Sequence, residues 1–305
     1  FSADTIAQKI TKKYDKEIAI NLDNGTLYGS LLVPKSKQKI PVVLLIPGSG
    51  PTDRNCNNNM GLKTNAFMYL AEELYENGIA SLRVDKRSSG KSINTFKSSI
   101  HKMTFNDFIS DAMLWIDTLK KGSFFSEIIV AGHSQGALVG LGASKEKKVD
   151  KFISISGAGR SIDEILSDQF NVSFPMYADS IKMFLDSLKH GVYPKKAPLF
   201  LKQSFAPYLL QFMKQWMSYD PSSIIDQLKC PILIVNGDND IQVSVNEAEL
   251  LHAGNKNSKL LIISEMNHVL KDAPRDRQKN VATYFKPDLP LNKTLVKEII
   301  SFIKK

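Results

Sequence analysis

Apolar positions along this chain follow two alternating rhythms. Short apolar-rich runs at 42–46, 79–84, 128–130, 152–156, 232–235 and 260–263 have the length and β-branched character of strands covered by helices on both faces. Between them lie stretches with apolar residues at helical spacing. Residues 63–77 place Phe67, Leu70, Ala71 and Leu74 on one face and stop at Asn77-Gly78, a helix C-terminal signal. Residues 104–119 place Phe108, Ala112 and Trp115 together, with Thr104 and Asp107 in capping-box positions. Further helices are predicted over 245–251 and 291–303. This alternation predicts an α/β protein with a mostly parallel sheet flanked by helices. Residues 17–33 instead read as two strands joined at Asn24-Gly25, a dipeptide suited to a tight hairpin turn.

The rhythm lapses from 161 to 226, where no strand signal occurs. Helices are predicted there over 162–170, 177–189 and 204–217, separated by Pro175, Pro194 and Pro198. An all-helical insertion after a sheet strand reads as a cap over the carboxyl edge, where such sheets place their ligands. The expected organisation is a core over 1–157, a cap over 158–228 and the rest of the core over 229–305. Most of the cap's large side chains (Met176, Met183, Phe184, Phe212, Met213 and Met217) are expected to pack helix on helix. The remainder, with Trp216 as the candidate for substrate contact, would line an apolar acyl pocket.

At 305 residues, 43% hydrophobic and 23% charged, the chain can bury a sizeable core. A net charge of +9 raises the question of nucleic acid, but the lysines are dispersed in doublets such as Lys147-Lys148 and Lys195-Lys196, with no arginine-rich block. That pattern reads as a solvated basic surface and predicts no nucleic-acid partner. No apolar run approaches the ~20 residues that span a membrane. The chain begins at Phe1 rather than Met, which tilts the expectation toward an exported protein with its leader removed, a cytoplasmic one remaining open. Cys56 and Cys230 belong to opposite ends of parallel strands and are predicted to be free thiols.

Candidate chemistry centres on Gly132-His133-Ser134-Gln135-Gly136. A strand-to-helix turn this tight strains its central residue and leaves no room for side chains two positions away, so Ser134 would stand exposed above the sheet. The plain alternative is an ordinary turn with a surface serine; the apolar run before it and the helix-forming run after it favour a nucleophile elbow. A serine hydroxyl needs a base, and the base needs an orienting group. His101 and His133 precede Ser134, His190 lies in the cap, and His252 leads into a strand from its wrong end. His268 follows a strand and reaches the same edge as Ser134. Asp238 and Asp240 both follow the preceding strand; Asp240 stands further out, where a carboxylate can meet a histidine ring. The loop at 47–55 begins like a dinucleotide-binding motif, but Asp53 stands at the third glycine position and no helix follows directly, which rejects that reading.

PGSGPTDRN (47–55), GHSQG (132–136), YDP (219–221), CPILIVNGDNDIQV (230–243) and MNHVL (266–270) together resemble the α/β-hydrolases, and more narrowly bacterial serine esterases with acyl-peptidase-like relatives. The resemblance covers residues 17–305. It implies Ser134 as nucleophile, Asp240 as acid and His268 as base, with acyl transfer that needs no metal or cofactor. It also implies an oxyanion hole from the backbone amides of Gln135 and of the Gly48-Ser49-Gly50 loop, Ser49 first and Gly50 as the alternative. Pro47 stands where many relatives have histidine. Asp53 and Arg54 would steady this loop as an ion pair; in an alternative reading Arg54 grips a substrate carboxylate. The expected activity is hydrolysis of a small-molecule carboxylic ester with a short to medium acyl chain, by a monomer or a homo-oligomer. Two other readings are an aminopeptidase or acyl-peptidase, for which no group anchoring a peptide N-terminus is evident, and a non-catalytic ligand-binding protein, against which the intact serine, acid and histidine argue.

Overall fold

The computed structural model describes residues 15–95, 103–121 and 124–305; the other positions, His101 among them, lie outside the described residues. Strands β1 (Lys16–Leu22) and β2 (Gly25–Leu32) form the hairpin predicted at Asn24-Gly25. They are followed by β3 (Ile40–Ile46), β4 (Ala80–Val84), β5 (Phe125–His133), β6 (Lys151–Ile155), β7 (Ile232–Gly237) and β8 (Lys259–Ile263). All eight share one sheet in the order β1-β2-β4-β3-β5-β6-β7-β8. The hairpin joins β4 antiparallel, and every later pairing is parallel.

The period of two along a strand divides the core between the sheet's faces. In β3, Val42 and Leu44 join one cluster with Phe105 and Trp115, while Val43 and Leu45 join the other with Phe67, Leu70, Leu295 and Ile299. Both faces are therefore covered, and burying each such aliphatic or aromatic side chain contributes about 1.5–3 kcal/mol. The covering helices are α1 (Ala66–Glu76), α2 (Phe105–Lys121) and α3 (Gln135–Glu146). At the start of α2, the Thr104 amide donates to Asp107 Oδ2 at 2.7 Å, one half of the expected capping box.

Between β6 and β7 the chain forms only helices: α4 (Ile162–Ser173), α5 (Ala178–Lys189), α6 (Leu199–Ser204), α7 (Leu210–Trp216) and α8 (Pro221–Ile225). The helix expected over 204–217 begins only at Leu210. Pro207 forces the preceding Ala206 into an extended conformation (φ −64°, ψ 150°), and a short 3-10 turn, Pro207–Leu209, intervenes before α7. Phe184, Phe212, Met213 and Met217 are buried as expected of helix packing, whereas Met176 and Met183 are 84% and 71% exposed and do not pack inside. The root of this segment is tied to the core. Glu247 Oε2 accepts from the amides of Gly159 and Arg160, each at 3.0 Å, and the Ser222 amide donates to Gly159 O at 3.3 Å.

The chain closes with α9 (Val245–Gly254), α10 (Arg277–Ala282) and α11 (Lys293–Ile303). Helix α10 has no apolar periodicity to betray it, because it is short and mostly exposed. Cys56 and Cys230 are free. No helix among the described residues is long and apolar enough to cross a membrane.

Candidate active site

Ser134 sits at the join of β5 and α3 with φ 54° and ψ −122°, a conformation that costs a non-glycine residue about 1–3 kcal/mol. Its surroundings hold it there. The Ser134 amide donates to Ile155 O and the Ala137 amide to Ser134 O, both at 2.9 Å. The flanking glycines are steric requirements: a Cβ on Gly132 would stand 2.1 Å from Gly136 O, and one on Gly136 would stand 2.2 Å from Ile46 O and 2.6 Å from Pro47 O.

Across the same edge, the turn after β7 presents Asp240 and the turn after β8 presents His268. His268 donates its Nδ1–H to Asp240 Oδ2 at 2.7 Å, with both side chains almost wholly buried. Asp240 Oδ1 accepts from the amides of Gln242 at 2.8 Å and Val243 at 2.9 Å. Burial alone would raise the Asp240 carboxyl, but the His268 charge, its ring hydrogen bond and the two amides outweigh it and hold the group below the ordinary carboxylate range. Asp238 serves elsewhere: it accepts from the Glu265 amide at 2.7 Å and pairs with Arg275, joining the two turns.

His133 has a structural part that its position inside the elbow did not reveal. It donates Nε2–H to the His268 carbonyl at 2.8 Å and so fixes the backbone of that residue. Burial, reinforced by the His268 charge, pushes His133 down to about 3, so it stays neutral. His252 is turned to Ser258 and His190 is exposed beside Asp186, both away from Ser134.

The loop after β3 lies against Ser134, since a Cβ on Gly48 would stand 3.3 Å from Ser134 Cβ. All three carbonyls of this loop are held from behind. Thr52 Oγ1 donates to Ser49 O at 2.7 Å, and Lys86 Nζ donates to Gly48 O and, at 3.2 Å, to Gly50 O. The same Nζ donates to the Gln135 side-chain oxygen at 2.9 Å. Neither the Ser49 amide nor the Gln135 amide donates to another group among the described residues. Gly50 is exposed and lies outside the cavity walls around Ser134.

The ion pair expected between Asp53 and Arg54 is not formed. Arg54 instead makes a two-pronged pair with the buried Asp85, Nε at 3.0 Å and Nη2 at 2.6 Å, and donates to Ser30. A carboxylate buried as deeply as Asp85 needs a charged partner, which turns Arg54 away from the cleft and from any substrate carboxylate. Asp53 organises its own loop, accepting from the amides of Asn55 and Asn57.

Ser134 stands between two small cavities. One, of about 100 Å3, is lined by Ser49, His133, His268 and Tyr284; the other, of about 90 Å3, by Gln135, Leu138, Ile162, Ile165 and Trp216. A third cavity, of about 520 Å3, does not touch Ser134; Leu166, Phe170, Phe174, Asp240 and Arg277 contribute to its wall. Gln242 lines all three. Its side-chain amide donates to the Tyr284 hydroxyl at 3.1 Å, and Gln169 donates to its backbone carbonyl at 2.8 Å. Sequence reasoning did not find Gln242, Tyr284 or Lys86, whose partners lie far away along the chain. No group of three or more His, Cys, Asp or Glu side chains able to hold a metal ion occurs among the described residues.

Known proteins resemble the chain in sequence and in fold. The family described as "Serine aminopeptidase, S33" matches residues 59–196, a stretch that contains Ser134 and precedes Asp240 and His268. Esterase EstD of Thermotoga maritima is 27% identical over 263 residues, 84% of this chain and 60% of that protein, so the chain spans about three fifths of this relative's length. Est1E from Butyrivibrio proteoclasticus superposes with a TM-score of 0.59 at 19% identity, covering 95% of this chain and 99% of that one. The Pyrococcus furiosus esterase Pf2001 gives 0.60 at 17%, covering 95% and 90%.

Proposed function

The chain has the α/β-hydrolase fold, and from that premise we propose that it is a serine hydrolase that cleaves carboxylic esters through an acyl-enzyme. The observation that carries the reading is the Asp240–His268 hydrogen bond of 2.7 Å, whose histidine shares a cavity wall with the strained Ser134. With Nδ1 committed to Asp240, the other ring nitrogen of His268 is the one free to act. It takes the Ser134 hydroxyl proton as Oγ bonds to the ester carbonyl carbon. The resulting oxyanion is received by the Ser49 and Gln135 amides, a stabilisation worth about 3–4 kcal/mol per donor. Collapse expels the alkoxide, which takes the proton from His268; water then repeats the sequence and frees the acid. Helices α4 to α8 act as the cap that bounds the acyl side.

Direction of the substrate follows from the proton. The leaving oxygen must face His268, so the alcohol part occupies the cavity shared by His268 and Tyr284, and the acyl part occupies the one walled by Leu138, Ile162, Ile165 and Trp216. Volumes of about 100 and 90 Å3 support short groups on both sides. The likeness to a serine aminopeptidase family supports a second reading, amide hydrolysis. It would need a carboxylate to hold a peptide's α-ammonium; among the described residues no acid lines either cavity beside Ser134, and those lining the neighbouring cavity of about 520 Å3 are engaged, Glu247 and Asp168 with Arg160, Asp240 with His268. Turnover of p-nitrophenyl esters from acetate to decanoate, beside aminoacyl-p-nitroanilides, tests both readings. Acetate to butyrate are expected to be the best substrates, with a fall of about 10^4–10^6 in kcat for Ser134→Ala. Equal rates in the two proteins, or no ester turnover, would remove the esterase reading; preference for the anilides would establish the amide one.

A further inference from the structure

Lys86 follows β4 and is only 6% exposed, yet its ammonium has no carboxylate within ion-pair distance among the described residues. Burying a charge without a counter-ion is costly unless every proton finds an acceptor. Here each does: Gly48 O, Gly50 O and the Gln135 side-chain oxygen, with the Phe108 ring face 5.3 Å from Nζ. A neutral amine would set its lone pair against one of these oxygens, so the set matches the charged form.

Two of those acceptors belong to the loop that carries Ser49. In a planar trans peptide the N–H points opposite to the C=O of the same unit. The Gly48 carbonyl and the Ser49 amide belong to one unit, so holding the first against Lys86 turns the second away from the protein interior, toward Ser134. The third acceptor is the side chain of Gln135, whose backbone amide is the other donor beside Ser134. One nitrogen therefore grips both halves of the oxyanion site from behind. The geometry points to Lys86 as the positioning residue that sets the separation and aim of the two oxyanion donors and adds an unneutralised positive charge behind them, a role that rests on the esterase reading above. Burial brings the ammonium down to about 7, in keeping with a charge that has no acidic partner.

Lys86→Met removes charge and donors while keeping the length of the stem. Active sites are first counted with a fluorophosphonate, so that kcat refers to competent molecules and a loss of folded protein is not mistaken for a loss of rate. Expected is a fall of about 10^2–10^3 in kcat for p-nitrophenyl acetate, as for loss of one oxyanion donor, with KM within about threefold of wild type. The inhibition constant of a trifluoromethyl ketone, which binds as an anionic tetrahedral adduct, should rise by the same factor as kcat falls. Wild-type kcat and inhibition in a folded Lys86→Met protein would overturn the inference. If that variant does not fold, Lys86→Arg keeps the charge but cannot match three converging acceptors with a planar fork. Its kcat should fall about tenfold or more with ketone affinity in step, and unchanged values would be equally fatal. A wild-type protein that neither turns over esters nor takes the fluorophosphonate defeats the esterase reading and this inference with it, whereas an active wild type beside an unaffected variant defeats this inference alone.

Discussion

Gly136 offers the sharpest test of how the site is built. A Cβ there would stand 2.2 Å from Ile46 O, 2.6 Å from Pro47 O and 2.8 Å from the Ile46 carbonyl carbon. All three are backbone atoms at the end of β3, where the oxyanion loop begins. Relieving the shortest contact to an ordinary separation of about 3.2 Å requires the elbow and the loop to part by roughly 1 Å. The same displacement would stretch a hydrogen bond of about 2.9 Å to roughly 3.9 Å, which is no longer one. Gly136→Ala should therefore lose one oxyanion donor, lowering kcat by about 10^2–10^3 while KM changes little. Gly142→Ala in the same helix is the control: its three nearest contacts are side-chain atoms of Ile109, at 2.7 Å from Cδ1, 3.2 Å from Cγ1 and 3.4 Å from Cγ2, with no backbone among them, and the change to alanine favours the helix by up to about 1 kcal/mol. Steady-state hydrolysis of p-nitrophenyl acetate, with circular dichroism to establish the fold, compares them. A folded Gly136→Ala protein with kcat within threefold of wild type would refute the steric argument and the placement of the hole between loop and elbow.

Two further outcomes follow from the same geometry. His133 takes a proton near pH 6.5 in the unfolded chain but only at about 3 when folded, so stability falls as pH drops through that window, by roughly 3 kcal/mol from this group by pH 4. Asp111, raised to about 6 mainly by burial, works in the opposite direction between its two values and is common to both proteins. Urea unfolding from pH 7 to 4 should thus show a shallower loss in His133→Gln than in wild type, and parallel curves would remove His133 as the cause. Gln242→Ala opens the partition between the cavity holding His268 and the one of about 520 Å3. It should raise kcat/KM for 1-naphthyl acetate about tenfold relative to ethyl acetate, and an unchanged ratio would show that Gln242 does not divide the alcohol site.

What the sequence disclosed and what it withheld have physical causes. Parallel strands covered on both faces are apolar throughout, so β3, β5, β6 and β7 stand out as runs. The elbow is legible because steric exclusion fixes residue types at fixed spacing, and chain order singles out His268. Partners chosen across the fold leave no local trace. Arg54 and Asp85 lie 31 positions apart, and Lys86 and Gln135 lie 49 apart, so the neighbouring Asp53 offered a plausible but incorrect ion pair. Tyr284, itself buried, comes from a short 3-10 turn without periodicity, and Pro207 broke a helix that apolar spacing alone would have continued.

The hydrogen bonds between Gly159 and Ser222 have a consequence for how such a protein can be altered. They place the departure and return of the helical segment side by side, so the excursion between them is a closed loop, fastened at its base by Glu247. The strands β6 and β7 that flank it are neighbours in the sheet whatever the loop contains. A replacement segment of different length therefore has to begin and end at the same two adjacent points and to cover Phe105 and Phe108 as Phe212 and Trp216 now do, and the extra loop-closure cost grows slowly with its length. The excursion behaves as an interchangeable cassette: grafting at this base can exchange the wall above the serine while the bed beneath it stays in register.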